Sequence, residues 1–233
     1  MLKPRKKITR KELKRDPLME ALYRLRHWWL VHNKRVSRYG GIALVVLVLV
    51  VLVTRWRASQ NEKAAAAVGI AFVEFSQGNY NTVISQLSAY VDEYSGLKSF
   101  GNGLYLLARS ELFMGDTTGA EEHYRRYLDD YGKDPLLKAG AQAGLGIIAE
   151  GQKRHAEAAE SFKQASKSAP TASLKHQYAI YAGRNYLLAQ QPEEALKLLQ
   201  PFLDNNELDF QTRNEIQILV TSAEAMGELR QGV

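Results

Sequence analysis

The chain has 233 residues, room for one large or two small domains, and its 17 glycines and 6 prolines exclude collagen-like and low-complexity classes. It has no cysteine, which removes disulfide frameworks, thiol catalysis, iron–sulfur clusters and cysteine-ligated zinc. The net charge of +6 points to nucleic acid only as an average: residues 1–39 hold thirteen Lys or Arg against three Asp or Glu, whereas residues 58–233 hold sixteen against twenty-two. The molecule is therefore an acidic domain behind a strongly basic head.

In the head, Asp16 and Pro17 read as an N-cap followed by proline at the first helical position, where a missing N–H costs nothing. Leu18, Leu22, Leu25 and Trp29 recur at helical spacing and share one face, which predicts an amphipathic helix over about 17–32. With Trp28 and Trp29 near its end and an apolar stretch just beyond, this helix fits the headgroup layer of a membrane, its basic residues drawn to anionic lipid. Docking on another membrane protein is the alternative. The earlier run KPRKKITRKELKR has the composition of a nucleic-acid tail, but beside a membrane span it reads as a lipid-facing, positive-inside tail.

Twelve consecutive apolar residues follow, Ile42–Val53, within GGIALVVLVLVVLVT. The fifteen-residue stretch covers only about 22 Å of a hydrocarbon core of roughly 30 Å. Tyr39 and Trp56 stand where aromatic belts belong, and Arg38, Arg55 and Arg57 are long enough to snorkel, so the usable span is Tyr39–Arg57. A cleaved signal peptide is the competing reading; against it stand the forty-residue basic region and the lack of a small-x-small site. A buried core helix is the third. The excess of Lys and Arg before the span keeps the N-terminus in the cytoplasm and puts the rest outside, in a bacterium the periplasm. That outer part has no Asn-x-Ser/Thr acceptor, which points to a bacterial source. No glycine or proline interrupts residues 42–68, so the membrane helix is expected to run on through RWRASQNEKAAAAV.

Beyond residue 64 the sequence repeats. Ala71, Ala108, Gly146 and Gly183 each precede a polar turn, followed by a second residue at 83, 120, 158 and 195, in steps of 37, 38 and 37. Those second positions are Val83, Ala120, Ala158 and Ala195, and a large residue comes four places later: Leu87, Tyr124, Phe162 and Leu199. This resembles the tetratricopeptide repeat, a helix–turn–helix unit in which small residues let two helices touch and large ones fill the gap. The usual period is about 34 residues; the extra three or four are expected after the second helix, as in EYSGLKSFGN and DYGKDPLL. The resemblance implies an all-α chain: a transmembrane helix, then a solenoid of about four helix pairs. A fifth, incomplete unit begins near Asp209, with Ala223 or Ala225 in the small position. There Glu215, Gln217, Thr221 and Glu224 among Ile216, Leu219 and Val220 give the composition of a capping helix with one wet side. The expected layout is a basic cytoplasmic head at 1–39, a signal anchor at 40–57, a helical connector at 58–63 and a periplasmic repeat domain at 64–233.

No residue set carries catalysis or a cofactor. The five histidines show no metal spacing and read as surface or turn residues. Pairs such as Glu121-Glu122 point to different sides of a helix, and GNGLY and GAQAGLG lack the lysine and strand of a phosphate loop. Neither an enzyme nor a small-molecule substrate is indicated. Binding is. In the family the first helix of each unit lines the concave face, which by alignment implies Phe72, Phe75, Tyr105, Arg109, Ile180 and Arg184 as inward positions. Arg109 and Arg184 hold the same place in two units and either grip a ligand carboxylate or pair with an acidic neighbour. The early positions Ala65, Asn102, Gly140 and Gln177 lack the family's lysine and asparagine clamp for chaperone tails. A mixed apolar and cationic groove suits extended polypeptide.

A basic tail, one signal anchor and an outer tetratricopeptide-like domain, with helical segments such as AYVDEYSG and RYLDDYGKDP, resemble the bacterial inner-membrane proteins of the ancillary Sec-translocon subunit type. The resemblance implies a scaffold beside the translocon whose partners are translocon subunits, periplasmic chaperones or exported polypeptides, with anionic lipid at the head and no nucleic acid. A scaffold for cell-wall or outer-membrane assembly is the alternative, and a nucleic-acid-binding protein using the head is a further one. The acidic domain steers toward basic or neutral partners, and without cysteine it relies on repeat stacking alone.

Overall fold

The computed structural model describes residues 17–204 and 208–231, and no strand occurs among them. The expected N-cap Asp16 and the tail before it lie outside the described residues. Contacts divide the chain into a unit ending at Arg57 and a second unit that begins at Ala58.

Helix α1 runs from Pro17 to Ser76. In the first unit its large apolar side chains from Ile42 to Val53 are all 45–63% exposed, so nothing among the described residues covers them. Among the described residues this stretch is therefore not a buried core helix. The stretch beginning at Ser37 is the one helix among the described residues long and apolar enough to cross a membrane. Trp28, Trp29, Tyr39 and Trp56 along it are half or more exposed, and Arg38, Arg55 and Arg57 are exposed too.

In the second unit the end of α1 is followed by α2 (Tyr80–Ser88), a short 3-10 turn (Lys98–Phe100), α3 (Gly101–Met114) and α4 (Thr117–Asp130). Then come α5 (Pro135–Gly151), α6 (His155–Ser168), α7 (Ala172–Leu188), α8 (Pro192–Leu203) and α9 (Phe210–Gln231). From α2 to α9 each helix packs on its neighbours in sequence, and α3 meets α5 while α7 meets α9, the nearest-neighbour pattern of a solenoid. Asp116, Asp134 and Thr171 cap α4, α5 and α7 by accepting from Gly119 N–H, from Leu136 and Leu137 N–H, and from Leu174 N–H.

The repeating small and large residues are buried throughout. Their spacing works by contact distance: a Cβ on Gly183 would fall 2.5 Å from Leu199 Cδ1, and one on Gly146 would fall 2.9 Å from the Phe162 ring. The turns between paired helices repeat as well. Gly78, Gly115, Lys153 and Gln190 all adopt left-handed φ, at 81°, 84°, 60° and 60°, and succeed one another by the same steps as the small residues. Only two of the four are glycine, so Lys153 and Gln190 hold a conformation that L side chains disfavour.

The extra residues per unit are not all loop. In the first repeat they form turns and the 3-10 segment, but in DYGKDPLL the residues from Pro135 onward are the opening turn of α5. Three apolar clusters run along the stack. The first spans the end of α1 through α5, the second joins α5, α6, α7 and α8 with Ala223, and the third packs Ile216 and Val220 of α9 under α7 and α8. Helix α9 thus closes the stack with a polar outer side, including Gln217, Thr221 and Glu224, interrupted by exposed Ile218 and Leu229.

Candidate functional site

The first helices of successive pairs, α3, α5 and α7, line a cleft of about 620 Å³. Its depth comes from glycine. A Cβ on Gly140 would sit 2.5 Å from the Tyr105 hydroxyl, and one on Gly144 would collide with the Tyr124 ring, so α5 leaves room for both tyrosines. Tyr105 meets the edges of Tyr124 and Tyr127 at 5.9 and 5.8 Å. Burial pushes the Tyr124 phenol well up, and pushes Tyr105 up against the opposing pull of Arg109; both stay neutral donors near pH 7. Leu136, Leu137 and Ile147 of α5, and Leu174, Tyr178 and Tyr181 of α7, complete the walls.

Arg109 is the one charged side chain among the fifteen lining residues. Its guanidinium carbon lies 5.1 Å from the Phe75 ring and 5.6 Å from Phe113. Phe113 in turn stacks on Tyr80 at 4.7 Å. Among the described residues no carboxylate forms an ion pair with it. At the equivalent place in α7, Arg184 donates to Glu215 of α9 at 3.1 Å. Of the two roles open to these arginines, Arg184 takes the acidic neighbour.

The structure thus brings Tyr105 and Arg109 into the cleft, with Phe75 half-buried under Arg109. Phe72 is 60% exposed and lies outside it. Ile180 is a correction: at 5% exposure it belongs to the core with Leu199, Ile216 and Val220. It shares a repeat position with Tyr105, whose length carries its ring outward; isoleucine is too short, and α9 covers it. Sequence reasoning missed Ile147, although it stands at the same repeat step as Arg109 and Arg184. The α7 tyrosines carried no such signal.

Two of the histidines make specific contacts, His123 within α4 and His155 at the turn into α6. His123 bonds Glu111 at 2.7 Å with both side chains mostly buried, and His155 meets buried Asn185 at 3.1 Å. Among the described residues no group of His, Asp and Glu could hold a metal.

On the α4 and α6 side, Arg125 and Arg154 join Glu121 and Glu157 in a four-member ion-pair network across two repeats. Hydrogen bonds and charge from Arg125, joined by Arg154, hold the Glu121 carboxyl below its ordinary range. Nearby, Glu160 accepts from the Tyr186 hydroxyl and from Lys163, which also donates to Tyr186 at 3.0 Å. These groups knit second helices to the next repeat and lie outside the cleft.

No curated protein matches the sequence. The tetratricopeptide repeat family matches residues 105–173, from α3 to the start of α7. Among solved structures, a Podosopora anserina chain of the kinesin light chain kind with nearly identical TPR-like repeats is 17% identical, with a TM-score of 0.55 over 74% of this chain and 90% of that one. A single-substitution form of that protein gives 0.54 at the same identity and coverage. At such identity the likeness is one of fold. The second unit is therefore a tetratricopeptide-like solenoid, a protein-interaction architecture, and its family-matched segment is the part that carries most of the cleft.

Proposed function

We propose that this chain is a membrane-anchored scaffold whose repeat cleft takes extended polypeptide. The basic head lies in the cytoplasm, residues 40–57 cross the inner membrane of a bacterium, and the solenoid works in the periplasm beside the Sec translocon on exported polypeptides or their chaperones. One observation carries the binding role: the cleft along α3, α5 and α7, with apolar and tyrosine walls and a single cation. Long apolar walls bind side chains without dictating sequence, and a lone polar post fixes register. The exposed apolar stretch from Ile42 supports the anchor, and the excess of Lys and Arg before it supports the orientation. Anchoring raises the local concentration of the cleft at the membrane, so weak groove contacts suffice. The nucleic-acid reading would require that stretch to be covered.

Two measurements test this. Protease added to intact spheroplasts should digest the solenoid and spare the head; protection of the solenoid would refute the orientation. Photocrosslinkers at Ile147 in native membranes, followed by mass spectrometry, should recover translocon subunits or exported chains. Recovery of cell-wall or outer-membrane assembly proteins instead would move the scaffold to that process.

A further inference from the structure

Resting on the cleft reading above, we infer that Arg109 is a carboxylate-binding post, and that the segments this cleft takes carry a carboxylate beside aliphatic or aromatic residues. The solenoid itself supplies the contrast. Arg125, Arg126, Arg154 and Arg184 each meet a carboxylate of the protein. Among the described residues Arg109 does not, although twenty-two Asp and Glu lie in residues 58–233. At the same repeat position in α7 the protein brings its own acid, Glu215, to Arg184 at 3.1 Å; over α3 that place is left to a ligand.

The guanidinium is also arranged for the task. Lying against Phe75 and Phe113, with Phe113 stacked on Tyr80, it gains cation–π attraction through its face. Stacking leaves the N–H edge, the part that pairs with a carboxylate, turned to the cleft, where it already reaches the Tyr105 hydroxyl. Because the rings already hold the side chain, less rotamer entropy remains to be lost on binding. The Tyr105 hydroxyl, neutral near pH 7, stands beside it as a further donor. Around the post, Leu136, Ile147, Leu174 and Tyr178 offer only apolar and aromatic surface, which sets the flanking residues. The domain's acidic surface repels an acidic segment at long range, but beyond about 8 Å that repulsion is screened at physiological salt, so the contact at Arg109 decides the outcome.

Both an Asp or Glu side chain and a free C-terminus present this chemistry, and the test separates them. Randomised twelve-residue peptide libraries, one with free C-termini and one with fixed Gly-Ser flanks on both sides, are selected on the full chain held in nanodiscs of neutral lipid. Acid enrichment in both formats assigns side-chain carboxylates; enrichment of apolar free C-termini in the first format alone assigns the terminus. In either case the preference should vanish in Arg109→Gln while apolar enrichment persists, and should survive in Arg184→Gln. In the best peptide, Asp→Asn or amidation of the C-terminus should weaken binding to the unmodified chain about tenfold, the scale of a charge-assisted pair. This last comparison needs no variant and so holds even where Arg109→Gln unfolds. Apolar peptides enriched without carboxylate preference would overturn the inference and leave the cleft reading standing. No enrichment over empty nanodiscs would overturn both.

Discussion

Gly144 and Tyr124 set the floor of the cleft. The Tyr124 ring is 2% exposed and braced by Tyr105, so it cannot yield to a methyl group, whereas Leu199 opposite Gly183 can rotate its terminal carbons. Gly144→Ala should cost about 1–3 kcal/mol, the range for overpacking, and Gly183→Ala distinctly less. Thermal melts followed by circular dichroism compare them, and equal losses would contradict this packing. The Glu160–Lys163–Tyr186 group predicts a pH response. Burial, then the bond to Glu160, pushes the Tyr186 phenol from 10.0 up to about 12, so its contribution is full below pH 10.0 and is lost as pH rises through about 12. The melting difference between the unmodified chain and Tyr186→Phe should therefore narrow from pH 9 to 12. For Glu160, burial opposes ionisation but the bonds from Tyr186 and Lys163 outweigh it and hold the carboxyl low; that contribution is present above the unfolded carboxyl's range and is lost as pH falls through the lowered folded one. At this scale the small and large packing positions were legible, because contact distance constrains them in every repeat. The fate of Arg184 was not, since its partner lies 31 residues away in a helix whose rotation the pattern leaves open.

Among the elements, the inter-helix turns carry the clearest unrelieved strain. A left-handed residue with a Cβ costs roughly 1–2 kcal/mol, part of which glycine returns through a freer unfolded chain. Lys153→Gly and Gln190→Gly should each raise the melting temperature by about 1–3 °C. A lower melting temperature in either would show that its side chain makes a compensating contact. The turns were visible in sequence as polar breaks at fixed steps, but two of them lack the glycine that would announce their backbone. Helix α9 was legible as a cap from its mixed face. That it would cover Ile180 was not, because periodicity reports which face is apolar and not which neighbour lies on it. The pattern places the extra residues of the long period after the second helix; it does not show that within DYGKDPLL a helix already opens at Pro135.

At the level of the whole molecule, charge and hydropathy along the chain speak for themselves. A basic head, an apolar stretch and an acidic repeat region are one-dimensional properties, so no packing had to be guessed. The cleft is different: it depends on glycines of α5 admitting tyrosines from α3 and α4, a three-helix coincidence that no single window contains. Its partner is set by surface chemistry, which names a class of ligand and leaves the protein to be caught. The most direct measurement compares faces of the solenoid. Photocrosslinkers placed singly at Ile147 and Tyr178 in the cleft, and at Glu122 and Gln164 on the exposed sides of α4 and α6, are activated in native membranes. Polypeptide adducts should form from the two cleft positions and be scarce from the other two; adducts concentrated at Glu122 and Gln164, with the cleft empty, would contradict the account.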